Sequence, residues 1–251
     1  MTDIWAACAG QARPGPLGGG LVRIVESQEQ VATLALVQTL AEQALLEQMI
    51  DDSKPPRRPG TEGLHYLLAT PFRYPPLSHG SRFGSRWEPG LFYGARDVPG
   101  ALAEAAYYRY YFWTGMETPP PSGALATQHT VFGAAWRTET GLRLQDPPFD
   151  AHRALIASPV DYAATQALGA NLRAAGMEAF EYPSARDPRG GVNVALFEPR
   201  AVASRAPEWR EEWLCETRDA MVRFWAKEAR EPFAFPLATF LVDGRFPVPS
   251  G

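Results

Sequence analysis

Cysteine is almost absent: Cys8 and Cys215 are the only two in 251 residues. They lie too far apart along the chain to staple a domain of this size. There is no C-x-x-C, and the four histidines form no H-x-x-H or H-E-x-x-H. A structural or catalytic zinc site needs such spacings, so no metal is expected. Lysine is equally scarce, since of 24 basic residues only Lys54 and Lys227 are lysines. The planar fork of arginine suits bidentate contact with phosphate, so this bias permits anion binding without specifying it. A net charge of -4 gives no general pull toward nucleic acid or anionic membrane, and neither is expected as a direct partner. No apolar run reaches the roughly 18 residues of a membrane-spanning helix. The opening MTDIWAACAGQARPGPLGGG has neither the charged start nor the unbroken apolar stretch of a signal peptide, so a cytoplasmic protein is expected. Also missing are G-x-G-x-x-G, G-x-x-x-x-G-K-[ST] and G-x-S-x-G, which argues against the common dinucleotide, nucleoside-triphosphate and α/β-hydrolase folds. No close pair of carboxylates stands out as a glycosidase dyad.

What is present is a well-stocked core. Hydrophobic residues make up 45% and aromatics 12%, enough for one large domain and incompatible with a disordered chain. Residues 1–20, rich in Gly and Pro from position 10, read as a flexible lead-in, followed by a short strand at 21–25. Ser27 and Gln30 form a capping-box pair, and apolar residues from Val31 to Met49 recur at helical spacing, predicting one long helix that ends before KPPRRPG. Residues 64–70 are open between strand and helix, and 72–90 read as a loop. A strand at 91–95 leads to a helix capped by Asp97 with Pro99 in its first turn, running through 101–113. Residues 128–136 alternate as a strand, with 142–146 as a partner strand across a turn. Ser158-Pro159 opens another helix ending near Gly176, and 178–184 and 192–197 are strands. Beyond 200, 212–216 and 234–242 read as strands and 218–230 as a helix. Strands and helices mix without regular alternation, so the expected class is α+β in one domain.

GSRF (80–83), LFYGA (91–95), ALAE (101–104) and YPSARDPRGGVNVALF (182–197), with the opening LVRI (21–24), resemble the RES-domain family over residues 21 to 200. On this resemblance, residues 21–251 form the RES-like domain. The helical stretch after Arg23 is an insertion, and 201–251 a C-terminal extension. The resemblance implies a fold like the ADP-ribosyltransferase toxins and an enzyme that consumes NAD, as a phosphorylase or glycohydrolase. It also implies a toxin role beside an Xre-type helix-turn-helix antitoxin. Position by position, it carries the family's arginines onto Arg23 and Arg82, its tyrosine onto Tyr93, its glutamate onto Glu104 and its serine onto Ser184. Gly84 stands where the family usually has Asn, and RWEPG (86–90) offers Arg86 in place of Arg82. Arg73 in TPFRYPP likewise competes with Arg23.

The chemistry these residues offer is consistent with that reading. Cleaving the nicotinamide–ribose bond builds positive charge on the ribose, as in glycoside hydrolysis, and Glu104 is the candidate to stabilise it. Spacing alone favours a solvated place for Glu104 near a helix N-terminus. Arg82, or Arg86, would clamp phosphate oxygens. Arg23, set among Leu, Val and Ile, needs an anion if buried. Tyr93 could stack on nicotinamide or ribose, and the Ser184 hydroxyl could reach a phosphate or the nicotinamide amide. No histidine is placed to activate Ser184 as a nucleophile. YYRYYFW (107–113) is expected to pack core or an interface. The ligands expected are NAD as substrate and inorganic phosphate as a possible co-substrate, with a homo-oligomer possible. Two other functions stay open: transfer of ADP-ribose to a macromolecule, and a non-catalytic NAD-binding module.

Overall fold

Eight strands and six α-helices, in the order α1-β1-α2-α3-β2-α4-β3-α5-α6-β4-β5-β6-β7-β8, are seen in the computed structural model, which describes residues 2–27, 37–227 and 231–250. β1 (Gly15–Glu26) runs antiparallel to β3 (Leu125–Arg143), from Gly15 opposite Gly141 to Glu26 opposite His129. The glycines at 18–20, expected to make a flexible lead-in, instead form the first half of β1. At Gly18 a Cβ would lie 2.8 Å from the Trp136 carbonyl oxygen, so the bare backbone is what allows the two strands to approach. α1 (Ile4–Cys8) precedes it, capped by the Asp3 side chain and buried through Ile4 and Cys8.

β3 also pairs in parallel with β4 (Ala179–Pro183). β4 is antiparallel to β5 (Val192–Leu196), and β5 to β2 (Phe92–Ala95). β2 returns to β1 through one pair only, Val22 opposite Ala95. These five strands therefore form a ring with a seam between β1 and β2. β6 (Trp209–Thr217), β7 (Met221–Ala226) and β8 (Phe233–Pro236) extend the sheet from the first half of β3. The result is a single α+β domain with a mixed sheet.

Helices cover the sheet in three places. α4 (Val98–Thr114) lays Leu102, Ala106, Tyr107 and Tyr110 against Trp213, Val222 and Phe224. α3 (Tyr66–Arg73) packs Leu67, Leu68 and Phe72 on Phe92, Phe132 and Trp136. α1 and α6 (Ala163–Ala174), with the short α5 (Arg153–Ile156), enclose a third cluster around Phe83, Phe149 and Phe180. Among the described residues, no helix is long and apolar enough to cross a membrane.

Several expectations are corrected. The helix predicted from Ser27 is α2 (Leu40–Ser53), opened by a Thr39–Glu42 capping box. Ser27 continues β1, bonding the Thr130 hydroxyl at 2.9 Å; Gln30 and the apolar positions Val31 and Leu34 lie outside the described residues. Segment 64–70 resolves toward helix as α3, which runs on to Arg73 and takes in the first residues of the expected loop. Residues 128–136 and 142–143 are not a hairpin but parts of one strand, because β1 pairs with β3 on both sides of the supposed turn, through a bulge; from Leu144 the chain leaves the strand. α6 starts at Ala163, not at Pro159. Residues 218–230 contain β7, which pairs with both β6 and β8; β8 is short and gives way to a 3-10 turn at Leu237–Phe240. In the aromatic run, Tyr107 and Tyr110 are core while Tyr108 and Phe112 are exposed.

Candidate active site

The seam between β1 and β2 opens into a cavity of about 520 Å³, within the ~300–1,000 Å³ range of small-molecule sites. Arg23, Arg82, Tyr93, Glu104, Tyr182 and Asn193 are among its lining residues. It exists because β2 is short and touches β1 at a single pair. Backbone groups along the seam must then find other partners, and the Tyr93 carbonyl accepts a hydrogen bond from Arg23 Nη1 at 2.5 Å.

Glu104 is brought in by α4, whose start is fixed by the Asp97 side chain accepting from the Gly100 amide at 2.7 Å. Its Oε1 accepts two hydrogen bonds, from Ser184 Oγ and from Asn193 Nδ2, each at 2.6 Å. No described residue donates to Oε2. Ser184 is committed to this arrangement. Its Oγ accepts from the amides of Arg186 at 3.1 Å and Asp187 at 3.0 Å, and its one proton goes to Glu104. It is buried and does not line the cavity, so its visible work is to orient the carboxylate rather than to reach a ligand. Asn193 was not singled out from the sequence. The signal was there, as the one polar side chain within the apolar run VNVALF.

Besides the Arg109–Glu26 pair that also lines the cavity, the arginines near Glu104 lack acid partners among the described residues. Arg23 has no carboxylate partner among the described residues, its Nε lacks any hydrogen bond, and burial pushes its guanidinium down to about 10. Arg82, 8% exposed, donates to the carbonyls of Ile156 at 3.2 Å and Ser158 at 2.8 Å and lies 4.5 Å over the Tyr162 ring. Arg186, close by, stacks 3.5 Å over Tyr107 and donates to the Pro159 carbonyl. None of the three meets an acid. A buried cation without a counter-ion is expensive, and an anionic ligand would relieve it. The Tyr93 hydroxyl accepts from the Phe83 amide at 3.1 Å and bonds Ser81 at 3.0 Å; burial pushes it up to about 12.

The rival arginines fall elsewhere. Arg86 is exposed and stacks 4.3 Å over Trp87. Arg73 is held by Asp51 at 2.9 Å and by the Pro55 carbonyl at 2.6 Å. Neither lines the cavity. Among these alternatives the fold brings Arg23 and Arg82 to Glu104.

The loop carrying Arg82 is set by α6. A Cβ on Gly169 would lie 2.0 Å from the Phe83 carbonyl oxygen, so helix and loop meet backbone to backbone. Gly169→Ala is expected to force them apart and to destabilise the fold by about 1–3 kcal/mol. Thermal unfolding reads this as a Tm lowered by several degrees; an unchanged Tm would show that the contact is not needed.

His129, also lining the cavity, is buried. Burial first, then the charge of Arg109, pushes it down to about 4. An unfolded histidine titrates near ~6.5. Between those values the unfolded chain takes up a proton that the native ring refuses, so stability is full above pH ~6.5 and falls as pH drops toward 4. His129→Gln should flatten the decline of Tm between pH 7 and pH 5. An identical decline in both proteins would assign it to other groups.

Three comparisons bear on identity. A family model described as RES domain matches residues 55–243, taking in much of the stretch after 200 that reads in sequence as an extension. Among solved structures, the chain is similar to one in "Crystal structure of the M.tuberculosis MbcT-MbcA toxin-antitoxin complex", with a TM-score of 0.50 and 11% identity, covering 84% of this chain and 92% of that one. At that identity the likeness is one of fold. No curated protein matches.

Proposed function

The chain belongs to the RES-domain family, and on that footing we propose that it is a toxin enzyme that cleaves the nicotinamide–ribose bond of NAD. The observation that carries this reading is the Glu104 carboxylate at the cavity, held twice through Oε1 and bare at Oε2. As the glycosidic bond breaks, its electron pair leaves with the nicotinamide nitrogen, and the ribose gains oxocarbenium character. A fixed carboxylate stabilises that charge without reorganising. Arg23, half-buried with its Nε enclosed and lacking an acid partner among the described residues, supplies the charge complement for the pyrophosphate, with Arg82 on the same cavity. The acceptor oxygen then bonds to the same ribose carbon. With phosphate the product is ADP-ribose 1″-phosphate; with water it is ADP-ribose and a released proton. A fold of the ADP-ribosyltransferase toxin type belongs to this proposal. So does an Xre-type antitoxin as protein partner, a reading supported by the antitoxin present beside the structurally similar toxin.

The acceptor is decided by incubating the purified protein with NAD, with and without phosphate. The same preparation with labelled NAD and cell lysate tests transfer to a macromolecule. Products that depend on phosphate favour phosphorolysis, and phosphate-independent ADP-ribose favours hydrolysis. Label on a protein or nucleic acid would move the reading to ADP-ribosyl transfer.

A further inference from the structure

We infer that Asn193 is a positioning residue for Glu104: its side-chain amide on β5 locks the rotamer of the carboxylate so that Oε2 alone faces the substrate. The inference builds on the NAD-cleaving reading but concerns a residue which that reading does not use.

Asn193 is 2% exposed and sits on β5 between Tyr182 of β4 and Ala95 of β2. Its neighbours Val192 and Val194 show what such a strand ordinarily holds. An ionised carboxylate has acceptors only, so the atom facing Glu104 must be the amide nitrogen, and the 2.6 Å contact to Oε1 fixes which way the amide is turned. That orientation leaves Asn193 Oδ1 buried with no hydrogen-bond partner. A buried, unsatisfied acceptor is unfavourable and calls for a reason. An apolar residue here would avoid the penalty, yet it would give up the one bond the amide makes.

Ser184 alone would leave the carboxylate free to turn about its bond. Two donors from separate segments, one just past β4 and one on β5, converge on one oxygen and define the plane of the carboxylate as well as its position. The chain elements involved are also independent. α4 supplies the glutamate, the residue following β4 supplies Ser184, and β5 supplies Asn193. A misplacement of about 1 Å at a reacting group is enough to cost on the order of 10²-fold in rate, and this clamp prevents such a shift.

The experiment compares Asn193→Ala and Asn193→Asp with the wild type, measuring kcat and KM on NAD and Tm for each. Asn193→Asp matches the shape of the native residue. It exchanges the amide donor for a second carboxyl group in contact with Glu104, and two carboxyl groups that close in a buried site share a proton, which takes charge from Glu104. Both variants are expected to lose about tenfold or more in kcat, Asn193→Asp the more, with KM within about threefold of wild type. Tm of Asn193→Ala should stay within a few degrees, since the orphaned oxygen leaves with the donor. Wild-type kcat in either variant would overturn the inference, as would a loss appearing mainly in KM or one matched by a collapse of Tm in both. If the wild type itself leaves NAD intact, it is the cleavage reading that fails. The inference about the clamp is then judged by the Glu104 side chain in a crystal structure of Asn193→Ala: a reoriented carboxylate supports it, and an unmoved one overturns it.

Discussion

Glu104→Gln is expected to lower kcat on NAD by about 10²-fold or more while leaving Tm unchanged. The substitution keeps shape and hydrogen bonding nearly intact. A glutamine Oε1 still accepts from Ser184 and Asn193, which hold the native side chain at 2.6 Å each. What disappears is the negative charge, and with it the stabilisation of the oxocarbenium-like transition state. Because the charge acts chiefly as the bond breaks, the loss should fall on kcat rather than KM. The two measurements together separate chemistry from folding. Wild-type turnover in Glu104→Gln would make the glutamate a structural acceptor for Ser184 and Asn193 and remove it from the reaction.

The second large effect is expected at Arg23. Arg23→Met replaces a half-buried cation by an apolar side chain of similar length. The guanidinium makes a hydrogen bond to the Tyr93 carbonyl and a cation–π contact at 5.2 Å with Phe92, but it meets no carboxylate. Removing a charge that is partly desolvated and has no acid partner among the described residues is not expected to lower stability, so Tm should hold or rise. Affinity should suffer, since a charged hydrogen bond to a phosphate contributes roughly 1.5–3 kcal/mol. That corresponds to a KM for NAD raised by about 10- to 100-fold. Such a pattern, affinity lost and stability kept, is what a residue held in reserve for a ligand produces. A lower Tm with unchanged KM would make Arg23 a prop for the seam instead. Arg82 differs, because its guanidinium anchors two carbonyls and a tyrosine ring. Its loss should therefore disturb the fold as well as binding.

Local chemistry made parts of this structure legible in the sequence. Asp97 followed by Pro99 placed the start of α4 and therefore Glu104, because a cap and a proline act within one helical turn. The alternation in residues 128–136 showed a strand, and the apolar run 192–197 another. The length of β3 was not legible. Glu139 to Gly141 reads as a turn, and pairing with β1 and β4 keeps the chain extended there. The same long-range pairing turned the glycines of 18–20 from a flexible lead-in into strand. Met221–Ala226 carries a mixed pattern that reads as helix, and pairing with β6 and β8 makes it strand. In the site, the family resemblance supplied Arg23, Arg82, Tyr93 and Glu104, and the fold gathers them around one cavity. It also supplied Ser184, but not its work, since bonding to Glu104 spans 80 residues of sequence. Asn193 is marked in the sequence only by its polarity within an apolar strand; its partner is fixed only when α4 docks.

The most direct test of the account is a mass spectrum of the small molecules after NAD is incubated with the wild type and with Glu104→Gln, in the presence of phosphate. The account predicts free nicotinamide with ADP-ribose or its 1″-phosphate from the wild type, and about 10²-fold slower formation from the variant. Intact NAD from the wild type, or equal product from both proteins, would contradict it.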